Sequence, residues 1–251
     1  MPAYPARAIV LRKTKLGETD TIVTLLVADG CQVRAVAKGL RKPGGRFGGR
    51  LEPYSVVDLL VHSGRSLEIV TEAATVTSHA ALREDYDRSN AASVVADLLD
   101  KISVEGQPEE RLFGLAAATL DVMDTAPLET LVAIVVGFLG KAMAMHGYRP
   151  QLDVCASCAA ELGESTRFSC QAGGAVCASC AGQDASVLQF SGQGRAWLQR
   201  LMSARMAEIP ELGMEDAAMV DCFWLMRAFI GYHVPAKLRA LDFYAAQLID
   251  S

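Results

Sequence analysis

Two Cys-x-x-Cys pairs constrain this chain more than any other feature of its sequence. The pairs are Cys155/Cys158 and Cys177/Cys180, and eighteen residues separate their inner cysteines. Two thiolates three positions apart can bind one metal ion from a tight turn, and a second such turn completes a tetrahedral site. The spacing between the pairs is typical of structural zinc sites. We therefore predict one structural Zn²⁺, bound by these four cysteines in a zinc ribbon over residues 151–184.

The segment between the pairs predicts how the ribbon is built. Residues 166–170 form a short apolar strand, and Gly173 and Gly174 turn the chain towards the second pair. Four thiolates close the coordination sphere, so the metal is expected to stabilise rather than to catalyse. Cys170 lies between the pairs and could replace one ligand, although its apolar strand favours a buried thiol. Redox disulfides, or four unrelated thiols, are the alternatives to a metal site.

The remaining cysteines indicate the cellular compartment of the protein, and the chain length limits its number of domains. Cys31 and Cys222 stand in apolar surroundings and are predicted core residues. Seven cysteines, an odd number, and an N-terminus without a signal peptide predict a reducing cytoplasm. The 251 residues suffice for one large domain or for two to three small ones. The apolar run 131–140 is too short for a membrane span and predicts a buried helix.

Charge is distributed unevenly along the chain. Residues 1–80 contain eleven Lys and Arg against seven Asp and Glu, a net charge of +4. Residues 81–251 contain thirteen against twenty-two, a net charge of −9. The basic first part indicates contact with a polyanion, which the net charge of −5 for the whole chain conceals.

The first eighty residues predict a small β-barrel. Five short runs rich in Val, Ile and Leu, separated by turn residues, are predicted strands: 6–11, 21–27, 32–37, 55–62 and 67–71. Five short strands fit a closed OB-fold, and an SH3-like barrel matches the same pattern. The number of strands alone does not decide between the two barrels.

A basic, glycine-rich stretch joins the third and fourth predicted strands. It spans residues 37–53, contains five glycines and has no acid before Glu52. A flexible cationic loop suits the phosphate backbone of DNA, which requires charge neutralisation without a fixed register. A solvated loop without a partner is the alternative. The predicted DNA-binding residues are Lys38, Arg41, Lys42, Arg46 and Arg50, with Lys13, Lys15 and Arg34 extending the surface if their strands face the same side.

Few aromatic residues accompany these cations. Residues 1–80 contain only Tyr4, Phe47 and Tyr54. Sequence-tolerant binding by base stacking needs several exposed rings. We therefore predict salt-sensitive, weakly sequence-selective binding to phosphates, with Phe47 as at most a single stacking group.

The rest of the chain predicts helices on both sides of the ribbon. Apolar residues recur at helical spacing over 91–102, 109–123, 128–145, about 192–206 with Ser191 as the cap, 215–232, and after Pro235. The predicted domains are a barrel at 1–80, a helical domain at 81–150 and 185–251, and the ribbon at 151–184. The arginines of the later helices either extend a path for DNA or are ordinary surface cations: Arg195, Arg200, Arg227 and Arg239.

No catalytic motif is apparent in the sequence. The four histidines are scattered without metal-binding or catalytic spacing: His62, His79, His146 and His233. The sequence has neither a Gly-x-x-x-x-Gly-Lys-Ser/Thr phosphate loop nor a Gly-x-Ser-x-Gly elbow. We therefore predict that the protein is not an enzyme. A thiol redox protein, or a zinc ribbon that acts only as a protein-interaction module, is the alternative.

Three features together resemble one known family. They are the opening sequence ARAIVLRKTKLGETDTIVTLLVADG, the basic stretch AKGLRKPGGRFGGRLEPY, and the two cysteine pairs within a helical region. In this order they resemble the RecO family of bacterial DNA repair proteins over nearly the whole chain. The resemblance implies an α+β protein with an N-terminal OB-fold, an all-α domain and a four-cysteine zinc module. It places the five cations of the basic stretch on the family's DNA-contacting segment, and the paired cysteines on its zinc ligands.

The resemblance also implies a function and a set of partners. RecO proteins are recombination mediators that bind single- and double-stranded DNA and anneal complementary strands. They work with RecR and with single-stranded-DNA-binding protein (SSB) in loading RecA onto coated DNA, in the RecF pathway of gap and break repair. On this basis we expect a cytoplasmic, nucleoid-associated protein with the same partners.

Overall fold

The computed structural model describes residues 3–42, 44–45, 47–64, 66–164, 167–182 and 187–250. Arg46, one of the predicted DNA-binding residues, and Thr166, the first residue of the predicted ribbon strand, lie outside these ranges. The chain forms two compact units, Met1–Thr125 and Ala126–Ser251. The boundaries of the predicted barrel, helical domain and ribbon stay a prediction.

The first unit begins with a closed barrel. Its strands are β1 (Ala3–Leu16), β2 (Asp20–Val27), β3 (Gln32–Ala37), β4 (Val56–His62) and β5 (Glu68–Thr77). They pair in the order β1-β2-β3-β5-β4, and β1 closes the barrel by pairing with β4. Neighbouring strands are antiparallel except β3 and β5, which are parallel. A five-stranded barrel with this Greek-key order is an OB-fold, so the predicted OB-fold is confirmed over the SH3-like alternative.

The barrel is filled by apolar side chains from all five strands and from the basic stretch. Cys31 is buried in this core, as predicted. Phe47 is 2% exposed and Leu51 is 0% exposed, so both belong to the core although they lie outside the strands. Phe47 was predicted to be at most a single stacking group, and its burial in the barrel core leaves the ring unavailable for stacking on a base.

Replacing Phe47 by leucine should lower the stability of the barrel rather than its affinity for a ligand. The smaller side chain leaves space in a filled core, at an expected cost of about 1–2 kcal/mol in the free energy of unfolding. Tyr86, which is 64% exposed in the same unit, provides the control, and its replacement by leucine should cost less than about 0.5 kcal/mol. Urea denaturation measures both. A Phe47→Leu variant as stable as the wild type would contradict the burial of this ring.

Three helices complete the first unit: α1 (Ala81–Glu84), α2 (Tyr86–Ile102) and α3 (Glu110–Thr125). α2 begins five residues before its predicted start at Ala91, because Asp85 caps the helix by accepting a hydrogen bond from the Arg88 N–H at 2.9 Å. The residues of its first turn are mostly polar, so apolar residues at helical spacing do not mark this part of the helix in the sequence.

Two buried or half-buried side chains fix the point at which the chain leaves the barrel. His79 is 2% exposed; its Nδ1 lies 2.8 Å from the Tyr54 carbonyl oxygen and its Nε2 lies 2.7 Å from Asp121 Oδ1. Arg83 donates from Nη1 to the carbonyl oxygens of Ser78 at 2.5 Å and Pro53 at 3.1 Å. These contacts join the end of the basic stretch to the first and third helices, so the loop before β4 is held at its C-terminal end.

The second unit contains helices on both sides of a small sheet. Its elements are α4 (Leu131–Met145), β6 (Arg167–Ser169), β7 (Gly174–Val176), α5 (Ala178–Ala181), β8 (Leu188–Gln189), α6 (Gly192–Ser203), α7 (Asp216–His233) and α8 (Arg239–Asp250). Short 3₁₀ helices span Leu128–Thr130 and Met206–Glu211. As predicted, Ser191 caps α6: its hydroxyl accepts a hydrogen bond from the Gly194 N–H at 2.9 Å. Cys222 on α7 is a core residue, also as predicted.

α4 is the central helix of this unit. Within the described part of the chain, Leu128–Met145 is the stretch long and apolar enough to cross a membrane, and 61% of it is buried inside the structure. All ten residues of the apolar run 131–140 except Val132 are buried. Packing against other elements of the unit accounts for the hydropathy of this helix, which confirms the predicted buried helix.

Candidate nucleic-acid interface and metal centre

The basic loop, defined here as residues 38–53, is attached to the turn between β1 and β2. The Arg41 backbone N–H donates to the Thr19 carbonyl oxygen at 3.0 Å, and its guanidinium donates to the Gly17 carbonyl oxygen at 3.4 Å. The Gly39 N–H donates to Asp20 Oδ1 at 2.8 Å. The first part of the loop is therefore ordered by main-chain contacts rather than free in solvent.

Tight turns inside the loop explain its glycines. The Lys42 N–H donates to the Gly39 carbonyl oxygen at 3.1 Å, and the Gly45 N–H donates to the Lys42 carbonyl oxygen at 2.9 Å. A Cβ on Gly45 would lie 2.6 Å from the Gly39 carbonyl oxygen, so no side chain fits there. The glycines therefore bring the backbone close to itself, which the prediction of a merely flexible loop did not include.

The cations of the basic loop point into solvent. Lys38, Arg41, Lys42 and Arg50 are all exposed, and Arg46 lies outside the described residues. With Phe47 buried and the loop tied to the β1–β2 turn, these side chains are carried on a fixed surface of the barrel. Such a surface can neutralise several phosphates of a backbone. Their contact with DNA stays a prediction.

The strand register separates the three cations that were expected to extend this surface. Lys13 and Lys15 pair with Val23 and Thr21, in rows that continue to the core residues Ala35 and Ala37. Arg34 belongs to the neighbouring row on the opposite face, because successive strand residues alternate between faces. The condition that the strands of these three cations face the same side is therefore not met.

Lys13 and Lys15 also differ in their surroundings. Lys13 Nζ lies 2.5 Å from Glu52 Oε2, near the end of the basic loop, so a carboxylate already neutralises much of its charge. Lys15 is exposed. Lys15 thus lies next to the loop with its charge directed to solvent, whereas Lys13 contributes to holding the loop.

Three arginines of the later helices have partners within the second unit. Arg195 donates to the Leu152 carbonyl oxygen at 3.1 Å, and Arg227 forms an ion pair with Asp242 at 2.8 Å. The Arg200 guanidinium lies 4.1 Å from the centre of the Trp197 ring. Arg239 is exposed. These contacts give Arg195 and Arg227 structural roles, and a path for DNA along them stays one of two alternatives.

The four paired cysteines come together in the second unit. The sulfur atoms of Cys155, Cys158, Cys177 and Cys180 all lie within 4.8 Å of one another. No disulfide joins any of the seven cysteines, all of which lie in the described part of the chain, and Cys170 does not belong to the cluster. Cys158 Sγ lies 3.8 Å from Cys177 Sγ, a contact between the two pairs that is much longer than an S–S bond.

Local structure places each pair of cysteines. The first pair lies on a turn in which the Ala159 N–H donates to the Cys155 carbonyl oxygen at 2.8 Å. The second pair opens α5, and the Cys177 N–H donates to Cys155 Sγ at 3.3 Å. Between them β6 and β7 form the predicted hairpin with its turn at Gly173, and β8 adds a third strand. The ribbon is therefore present as predicted, although β6 ends at Ser169, one residue before the end of the predicted strand.

The geometry of the cluster suits a tetrahedral metal ion. Bonds of about 2.3 Å to a central ion place the sulfur atoms of a tetrahedron about 3.8 Å apart. Burial raises the pKa of Cys155, but backbone N–H groups of Cys177, Cys158 and Ser157 outweigh this effect and lower the pKa to about 6. Hydrogen bonds with the sulfur atoms of Cys158 and Cys177 raise the pKa of Cys180 to about 12. Four sulfurs this close cannot all ionise unless a cation lies between them.

The ribbon packs into the helical part of its unit through one aromatic residue. Phe168 on β6 is 0% exposed. Its ring lies 5.6 Å from the Phe229 ring of α7 and 6.0 Å from the Phe190 ring, with edge-to-face geometry in both cases. A metal ion that holds the hairpin therefore also holds a part of the core of the second unit.

Sequence reasoning missed the two acids that organise the basic loop. Asp20 accepts the Gly39 N–H, and Glu52 pairs with Lys13. The motif Gly17–Asp20 marks a turn, but nothing in the sequence connects it with a glycine nineteen residues later. Only the pairing of β2 with β3, which places Ala37 beside Thr21, brings them together.

Two family models match this chain. The model described as "Recombination protein O N terminal" matches residues 1–79, and the one described as "Recombination protein O C terminal" matches residues 83–242. The first coincides with the barrel, and the second covers most of the helical and ribbon elements.

Several curated proteins are similar to this chain, and each is named DNA repair protein RecO. The protein of Bifidobacterium animalis is 33% identical over 243 residues, which cover 96% of this chain and 98% of the relative. That of Desulforamulus reducens is 30% identical over 244 residues, covering 97% and 94%. That of Frankia casuarinae is 44% identical over 161 residues, covering 63% and 65%.

Proposed function

Because this chain belongs to the RecO family of DNA repair proteins, we propose that it is a recombination mediator that binds and anneals DNA. It binds single- and double-stranded DNA through the basic loop and brings complementary strands together. With RecR, it helps to load RecA onto single strands coated with SSB. It acts on DNA in the cytoplasm.

One observation supports DNA binding at the basic loop above all others. Lys38, Arg41 and Lys42 are exposed on a loop whose backbone is tied to the barrel. The first eighty residues, which contain the barrel, carry a net charge of +4 within a chain of net charge −5, so the barrel presents the cations. Phosphate contacts dominate such binding, which should therefore weaken steeply with salt and depend little on base sequence.

Annealing by this surface requires no bond chemistry. Two complementary strands repel each other through their phosphates, and a cationic surface that binds both lowers this repulsion and raises their local concentration. Base pairing then supplies the free energy. The mediator is therefore proposed to act without a catalytic residue and without a nucleotide cofactor.

We further propose that the cysteine cluster binds one structural Zn²⁺. The four-sulfur donor set and the separation of 3.8 Å between two of the sulfurs fit Zn²⁺ in tetrahedral coordination. Cys155, Cys158, Cys177 and Cys180 would be the ligands, and their closed shell would leave no open position for a substrate. The ion would stabilise the ribbon and, through Phe168, its packing on α7.

An annealing assay tests the proposed function directly. Two complementary oligonucleotides are coated with SSB, and the rate of duplex formation is measured with and without this protein, in the absence of ATP. A clear acceleration is expected. Unchanged rates with and without added RecR, on DNA that the protein does bind, would contradict the mediator function.

A further inference from the structure

Asp20 occupies the centre of the contacts that hold the basic loop. It is the first residue of β2, and its Oδ1 accepts hydrogen bonds from the Gly39 N–H at 2.8 Å and from the Thr19 hydroxyl at 3.1 Å. A hydrogen bond to a carboxylate is stronger than one between neutral groups. The carboxylate therefore fixes the second residue of the loop, at the point where the chain leaves β3.

The same carboxylate carries a negative charge among the cations predicted to bind DNA. The Gly39 N–H, followed by the Thr19 hydroxyl and the charges of Lys38 and Lys42, holds the pKa of Asp20 below its usual value. Asp20 is thus ionised at neutral pH. A phosphate that approaches Lys38 and Lys42 meets this negative charge as well.

We propose that Asp20 is both the positioning residue of the basic loop and its internal counter-anion. Its carboxylate holds Gly39 in place and partly neutralises Lys38 and Lys42 until a DNA phosphate takes over that role. This inference rests on the proposed function, in which the loop binds DNA. The repulsion between Asp20 and bound phosphate weakens DNA binding and speeds DNA release. A protein that anneals strands requires such release, because it must let go of each strand once the strand has paired.

Two substitutions separate the two roles. Asp20→Asn keeps an oxygen that can accept the Gly39 N–H but removes the charge. Asp20→Ala removes both the acceptor and the charge. Asp29→Asn is the matched control, because Asp29 accepts the Cys31 N–H at 2.8 Å in the turn beyond the other end of β2, a strand about 23 Å long.

Positioning is measured without DNA, by hydrogen exchange of the Gly39 amide. Asp20→Ala should speed this exchange by about ten-fold, since it removes a hydrogen bond to a charged acceptor. Asp20→Asn should speed it by less, and Asp29→Asn should leave it unchanged. Exchange in Asp20→Ala at the wild-type rate would overturn the positioning role.

The counter-anion role is measured by the affinity for a single-stranded oligonucleotide at low and high salt. Asp20→Asn should bind about three-fold more tightly than wild type at low salt, the size expected for one unit charge several ångströms from a phosphate in water. Screening should remove the difference at about 1 M salt. Asp29→Asn removes the same negative charge at the distant turn and should leave the affinity unchanged. Equal affinities of Asp20→Asn and Asp29→Asn at low salt would overturn this role.

Failure of the proposed function can be told apart from failure of this inference. If reversal of the charges of Lys38 and Lys42 left the DNA affinity unchanged, the loop would not be the DNA site and the counter-anion role would fall with it. The exchange rate of the Gly39 amide would still decide whether Asp20 positions the loop.

Discussion

Replacing Cys155 by serine is expected to release the proposed zinc ion and to cause the largest loss of stability predicted for this protein. Structural zinc binding contributes about 10–16 kcal/mol in zinc-finger peptides, as much as the total stability of many domains. Cys155 is the most buried of the four cysteines, at 2% exposure, and its sulfur also accepts the Cys177 N–H. The measurements are zinc content of protein purified under reducing conditions, and thermal unfolding of the second unit.

Cys170→Ser provides the matched control for this substitution. Cys170 lies between the two pairs, is half-buried and does not belong to the sulfur cluster, so the variant should keep its zinc. Loss of zinc in Cys170→Ser together with its retention in Cys155→Ser would show that the ligand set is different.

The Cys155→Ser substitution should also change the DNA affinity per folded molecule less than it changes the stability. Lost annealing at unchanged stability would instead mean that the ribbon itself contacts DNA.

Reversing Lys38 and Lys42 to glutamate should weaken DNA binding and flatten its dependence on salt. Each phosphate contact on a single strand contributes about 0.7 to the slope of log affinity against log salt, so losing two contacts should lower the slope by roughly 1.4. The same loss corresponds to at least about ten-fold in affinity at 0.1 M salt. Titration of a labelled oligonucleotide at several salt concentrations measures both quantities.

A double variant elsewhere in the first unit controls for the change in net charge. Lys101 and Arg111 are exposed on α2 and α3, where they form ion pairs with Asp100 and Glu109. Reversing both to glutamate changes the net charge by the same amount outside the basic loop, and should leave the slope unchanged. Equal slopes in the two double variants and the wild type would falsify the assignment of the basic loop as the DNA site.

The parts of the fold that the sequence predicted well are those set by local chemistry. β3 has its predicted bounds, because a short run rich in Val and Ala lies between an Asp-Gly turn and a basic, glycine-rich stretch. The cysteine cluster was predictable because the type of ligand and the spacing of the two Cys-x-x-Cys pairs determine the geometry of the site. β1 extends five residues beyond its predicted end, since residues 12–16 are mostly polar yet pair fully with β2.

The parts that were not predictable depend on closure of the barrel. An aromatic residue in a glycine-rich basic loop can be exposed or buried, and only the three-dimensional position of Phe47 over the barrel interior decides. The contact between Asp20 and Gly39 likewise requires the register of β2 and β3. Long-range contacts of this kind leave no periodic signal in a single sequence.

The burial of Phe47 limits the conformational entropy that the basic loop would lose on binding DNA. A free loop of sixteen residues, 38–53, would sample many conformations, and ordering it on a partner would cost conformational entropy at each residue. Here the ring of Phe47 divides the stretch into two short segments, and the folding of the barrel has already restricted both. The cations are thus preorganised, so more of their attraction to phosphate appears as affinity. The same anchor keeps the loop from extending as a flexible arm, so in the proposed function DNA would bind at the barrel surface itself.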